Sequence, residues 1–154
     1  MTYLIVAGVD GSEGGRRALA WAVREAASRG GTVQAVAAWR WDGIETDFVA
    51  VPNAAEEKRR TTAMLAQEIS QVTRGNPPVP VAAEVVEGRP ADVLSAAGRG
   101  ADLLVLGSHG HSRIRHTVLG SVSEECVRKA SCPVVVIPVP APEPAEPAEP
   151  VLRA

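Results

Sequence analysis

The sequence predicts an α/β fold: a five-stranded parallel sheet with helices on both faces, Rossmann-like in plan. Two observations carry this. Short apolar runs alternate with longer segments whose apolar residues recur every 3.6 positions, giving the order β-α-β-α-β-α-β-α-β. Three of the runs, Leu4-Ile5-Val6-Ala7, Leu103-Leu104-Val105-Leu106 and Val134-Val135-Val136-Ile137, are apolar throughout. Strands buried on both faces read this way, whereas half-exposed strands alternate. Parallel strands joined by right-handed helical crossovers follow, with the first and fourth strands adjacent near the centre.

The elements come in order. Residues 3–9 form the first strand, ended by the turn signal Asp10-Gly11-Ser12. Ser12 suits the N-cap of a helix over 13–28. That helix turns Ala18, Leu19, Ala22, Val23 and Ala26 inward, and Gly30-Gly31 stops it. A second strand covers 32–38. An irregular stretch over 39–53 carries Trp39, Trp41 and Phe48. Ala54–Thr73 is a second helix, with Met64, Leu65, Ile69 and Val72 on one side. The third strand, 79–87, contains Pro80 and Glu84 and reads as an edge strand. Pro90 opens a short helix to about residue 99. The fourth strand, 103–106, precedes a glycine-bearing loop and a helix over 121–130. Cys132-Pro133 breaks that helix before the fifth strand, Val134–Ile137.

Composition narrows the function. The chain has 154 residues, enough for one domain, and 45 % are apolar but only 3 % aromatic, so the core must be aliphatic. Net charge is −2, which argues against general nucleic-acid binding. No apolar run approaches the ~20 residues of a membrane span. The start lacks the basic-then-apolar pattern of a signal peptide. Cys126 and Cys132 read as two small buried thiols of a reducing compartment, and a cytoplasmic protein is expected. Residues 1–140 form the expected domain. The alternating Pro, Ala and Glu of 141–154 read as an extended tail.

The stretch richest in chemistry is Gly107-Ser108-His109-Gly110, followed nine residues later by Gly120-Ser121-Val122-Ser123. Strand, glycine loop and helix in succession leave backbone N–H groups free at a helix N-terminus, which suits a phosphate. Across from it, Asp10 ends the first strand, where a carboxylate commonly binds sugar hydroxyls. An Asx-turn or helix cap explains the same residue without a ligand. His109, His111 and His116 have no metal-site spacing and read as polar loop residues, with Arg113 and Arg115 making the loop basic. Walker, dinucleotide and nucleophile-elbow patterns are missing, and no catalytic group stands out.

Gly107, Gly110, Gly120 and Ser121 match the Gly-x2-Gly-x9-Gly-Ser/Thr pattern of nucleotide-binding universal stress proteins. Val9-Asp10-Gly11-Ser12, Gly120-Ser121-Val122-Ser123 and Cys132-Pro133-Val134-Val135-Val136 extend the likeness over residues 3–138. The chain thus resembles the universal stress protein family, with its adenine nucleotide alpha hydrolase-like fold. The resemblance implies ATP as ligand, with Mg²⁺ as an optional companion of the phosphates. It implies that Val9, Ala38 and Leu106 border the nucleoside and that Asp10 holds the ribose. Gly107 and Gly110 would approach ribose and phosphates. Gly120, Ser121, Val122 and Ser123 would cradle the phosphates through N–H groups and hydroxyls. It also implies a homodimer paired through Val134–Ile137. A regulatory, nucleotide-responsive protein is the first expectation. A slow ATP hydrolase or phosphotransfer enzyme, and a nucleotide-free dimeric module, are the alternatives.

Overall fold

The computed structural model describes residues 2–41, 53–111 and 119–140. Its elements alternate as expected: β1 (Leu4–Gly8), α1 (Glu13–Arg29), β2 (Thr32–Trp39), α2 (Ala54–Thr73), β3 (Val81–Glu87), α3 (Pro90–Ala97), β4 (Leu103–Gly107), α4 (Ser121–Lys129) and β5 (Val134–Ile137). The strands form one sheet in the order β3-β2-β1-β4-β5. Every pairing is parallel, and β1 and β4 lie side by side at the centre. β3 is an edge, as Pro80 and Glu84 suggested, and β5 is the other.

Boundaries shift for local reasons. Pro80 contributes no N–H, and its carbonyl instead accepts from Val33 N at 3.0 Å just before β3 begins. α3 ends at Ala97, before Gly98. Gly30 closes α1 at φ 65°, a left-handed conformation that glycine adopts without a Cβ penalty.

Side chains of successive strand residues point to opposite faces, and the core divides accordingly. Ile5, Ala7, Val33, Ala35 and Val105 pack beneath α1 and α2, with Leu19 and Leu65 fully buried there. Val6, Val36, Leu104 and Leu106 pack beneath α3 and α4, against Leu94 and Cys126. Cys126 is buried and Cys132 only half-buried, and both are free. Burial is the main cause that pushes both thiols up from their ordinary value. The first turn of α1 is tied to α2 by a two-pronged ion pair. Arg16 Nε donates to Glu68 Oε2 at 2.9 Å and its Nη2 to Oε1 at 3.1 Å. Glu68 is buried, and the pair links the two helices on this face of the sheet.

Candidate nucleotide site

Strand order reverses between β1 and β4. The chain leaves β1 toward β2 on one side, while β4 and β5 continue on the other. The loops after the two strands therefore diverge, and a crevice opens beyond their carboxyl ends. It holds a cavity of about 330 Å³, within the usual size of a small-molecule site, roughly 300–1,000 Å³. Val9, Asp10, Ala38, Leu106 and Gly107 line it. So do Gly110, Gly120, Ser121, Val122 and Ser123. The ten residues singled out from sequence thus surround one cavity.

Its inner end is apolar. Val36, Ala38, Leu94 and Leu106 form the wall, beside Gly8. A Cβ on Gly8 would stand 2.8 Å from Leu106 Cδ2 and 2.9 Å from Leu94 Cδ1, so glycine keeps those leucines against the strand. On the β1 side stands Asp10. Its Oδ1 accepts from Ser12 N at 2.9 Å and also from the Ser12 hydroxyl. Ser12 Oγ in turn accepts from Gly15 N at 3.2 Å, capping α1. The two readings of Asp10 are thus compatible: Oδ1 makes the Asx-turn, and Oδ2 stands toward the loop. A Cβ on Gly110 would lie 2.6 Å from Oδ2, and one on Gly15 2.9 Å from Oδ1. Two glycines therefore make room for this carboxylate.

The outer end is built by α4. Gly120 is its N-cap at φ −72°, and no side chain caps the helix. Ser121, Val122 and Ser123 occupy the first turn, where an α-helix supplies no internal acceptor for the N–H groups. Gly120 N donates to Ser108 O at 2.6 Å, and Ser123 Oγ donates to the same carbonyl at 2.9 Å. The Ser123 hydroxyl hydrogen is thereby committed to the loop. What Ser123 presents to a ligand is its N–H.

Several of these residues also carry packing roles. Gly107 lines the cavity, but it closes β4, and a Cβ there would lie 2.5–2.6 Å from the backbone of Gly14. A Cβ on Gly14 would in turn drive into the His109 carbonyl. Gly107 and Gly14 let α1 start directly against the loop. His109, read from sequence as a polar loop residue, is buried and faces the cavity. His111 also faces it, with Nε2 2.6 Å from Asp10 O, so its ring spans the two loops. His116, Arg113 and Arg115 lie outside the described residues, as do Phe48 and the 141–154 stretch. Gly14, Gly15 and Leu94 were missed. The signal for the glycines was present: two in the first turn of a helix cost about 1 kcal/mol each against alanine and call for a packing reason.

An open parallel sheet with a cavity at its topological switch point defines a Rossmann-like α/β protein, with the cavity where open α/β sheets bind ligands. The universal stress protein family model matches residues 1–138, so the chain belongs to that family. A universal stress protein of Mycobacterium tuberculosis H37Rv is 36 % identical over 138 residues, covering 86 % of this chain and 44 % of its own length. The chain thus spans about half the length of the curated relatives it matches. Among solved structures, a universal stress protein in complex with cAMP aligns at TM-score 0.64 and 25 % identity, covering 88 % of this chain and 95 % of that one. UspA from Lactobacillus plantarum aligns at TM-score 0.72 and 22 % identity, covering 88 % and 97 %.

Proposed function

We propose that this chain binds ATP in the β1/β4 crevice and acts as a nucleotide-responsive regulatory protein. The observation that carries this reading is the pairing of opposites across one cavity: the carboxylate of Asp10 on one side, the uncapped N-terminus of α4 on the other. A nucleotide has complementary halves. Ribose hydroxyls donate to a carboxylate, and phosphates accept from helix N–H groups and are favoured by the helix dipole. The base would lie against Val9, Ala38 and Leu106, with Gly107 and Gly110 beneath ribose and phosphates. The N–H groups of Ser121, Val122 and Ser123 would hold the phosphate chain, with Gly120 leaving room beside them. A universal stress protein of similar fold was solved in complex with cAMP, which supports an adenine nucleotide as the ligand.

Mg²⁺ fits this donor set in one way. Asp10 is the sole carboxylate among the described residues lining the cavity, and its Oδ1 already accepts two bonds from Ser12. Such a site suits a cation carried mainly by phosphate oxygens, not a protein cage. Among the described residues, the half-exposed edge strand β5 is paired on one side only, by β4. Pairing with the same strand of a second copy would cover it and give the homodimer.

The test is mass spectrometry of nucleotide released from freshly purified protein, followed by calorimetry with ATP and cAMP. The cyclic nucleotide lacks a free 3′-hydroxyl and a phosphate chain, so ATP should bind at least about tenfold tighter. Equal or tighter cAMP binding would sink the ATP assignment. A product assay with bound ATP separates a sensor from a slow hydrolase.

A further inference from the structure

Ser108 lies between the first two glycines of the phosphate-loop pattern, yet it does not face the cavity. It is buried, and all its polar atoms are engaged. Its N–H donates to Ile137 O at 2.8 Å. Its carbonyl accepts from Gly120 N at 2.6 Å and from Ser123 Oγ at 2.9 Å. Its Oγ accepts from Val139 N at 2.9 Å and lies 3.1 Å from His109 Nδ1. The partners fall into two groups. His109, Gly120 and Ser123 line the cavity. Ile137 and Val139 belong to the end of β5 and the segment that leaves it.

The direction of these bonds is fixed by what each group can do. A backbone N–H can only donate, so Ser108 Oγ must accept from Val139. The hydroxyl's own hydrogen then has one acceptor in reach among the described residues, His109 Nδ1. A neutral imidazole that accepts at Nδ1 carries its hydrogen on Nε2. Val139 also contacts the start of α1: its Cγ2 would stand 3.1 Å from a Cβ on Gly14. The segment after β5 is therefore wedged behind the loop that forms the phosphate end.

We propose that Ser108 is a positioning residue that couples the phosphate end of the cavity to the segment after β5, through the chain Val139 N–H, Ser108 hydroxyl, His109 imidazole and the Ser108 carbonyl that holds α4. This rests on the nucleotide reading and adds regulation to it. A ligand on the first turn of α4 favours the loop geometry in which the Val139 bond is made. Linkage makes the effect reciprocal: holding that bond strengthens ligand binding by the factor by which ligand strengthens the bond. Whatever displaces residues 138–140 from the loop would thereby release nucleotide.

Val139→Pro tests this by deleting one N–H. It lies between Pro138 and Pro140 and beyond the last strand, so the backbone tolerates it. Circular dichroism should show an unchanged fold. ATP affinity should fall about fivefold, in the range one hydrogen bond supplies. In the parent protein, ATP should slow hydrogen exchange at the Val139 amide by a similar factor. The imidazole ¹⁵N shifts of His109 in the ligand-free protein should move toward mixed tautomers in both Val139→Pro and Ser108→Ala. If Val139→Pro does not fold, Ser108→Ala and the parent's exchange rates decide alone. Affinity within twofold of the parent, together with an unmoved Val139 exchange rate, overturns the coupling. If the parent binds no ATP, the nucleotide reading fails on its own. The His109 shifts then still decide the hydrogen-bond chain: moved shifts support it, and unmoved shifts overturn it.

Discussion

Helices α1 and α4 both begin at the carboxyl edge of the sheet and both face the crevice, yet their first turns are finished differently. At α1, Ser12 accepts from Gly15 N, and Asp10 sits over the turn and accepts from Ser12. The positive end of that helix is already answered by a carboxylate. At α4, Gly120 has no side chain to accept anything. Its dipole and first-turn N–H groups are left for a ligand. The lesson is that two nearly equivalent helix starts can divide a ligand between them. On the proposed reading, the one that keeps its own anion would take the hydroxyls, and the one without would take the phosphates.

The comparison can be broken at its base first. α1 reaches the crevice only because Gly14 allows it to lie against the His109 carbonyl. Gly14→Ala should cost about 3 kcal/mol of stability, read as a lower urea midpoint at unchanged slope. The sign is informative, because alanine for glycine inside a helix ordinarily stabilises by about 1 kcal/mol. A more stable variant would show that the close approach is not required.

Gly120→Asp reverses the α4 arrangement by supplying the missing cap. Contacts of 3.3–3.4 Å to Ser108 O and His109 Cα need only a small adjustment. Aspartate is a favoured N-cap, so stability should stay within about 0.5 kcal/mol of the parent. ATP affinity should drop about 100-fold, because a carboxylate now accepts the N–H groups and repels phosphate. Calorimetry with unchanged affinity would remove α4 from the site. Gly110→Asp is a less clean probe, since its Cβ would already press on Asp10 Oδ2.

Asp10→Asn sharpens the other half. The turn to Ser12 N survives on the amide oxygen, while the charge that favours ribose hydroxyls is gone. ATP should bind about tenfold more weakly. Inorganic triphosphate, which has no ribose, should bind no more weakly than to the parent. Equal losses for both would mean that Asp10 acts on the whole cavity and not on the sugar.

The sequence made much of this arrangement legible. Continuous apolarity in 4–7 and 103–106 marked the central strands, and their adjacency brought Asp10 and Gly107 to one crevice. Pro80 marked the β3 edge. What could not be read was which atoms fill which space. Gly107 matches a ligand-loop glycine by spacing, but its missing Cβ is required by Gly14, 93 residues away in sequence. His109 reads as polar loop, yet it is buried where the starts of α1 and α4 close on it at Gly14 and Gly120. Ser108 looks like a loop hydroxyl, and its role depends on Ile137 and Val139, contacts that no local pattern encodes.

The smallest expected effect is at Ser12. Ser12→Ala removes the acceptor for Gly15 N and one of the two donors to Asp10, and should cost about 1 kcal/mol of stability. Ser12→Asp separates capping from electrostatics. It restores a good cap for α1 but sets a second carboxylate beside Asp10, so like-charge repulsion should offset the gain. At α4 the same residue type is tolerated, since no carboxylate occupies that turn's N-cap. Aspartate should therefore be nearly neutral at Gly120 and destabilising at Ser12, measured as a lowered urea midpoint for Ser12→Asp beside a nearly unchanged one for Gly120→Asp. The Ser12→Asp penalty should shrink as salt is raised, because screening weakens the repulsion between the two carboxylates. A penalty that persists at high salt would point to packing around Gly15, not to the charge that Asp10 already places at α1.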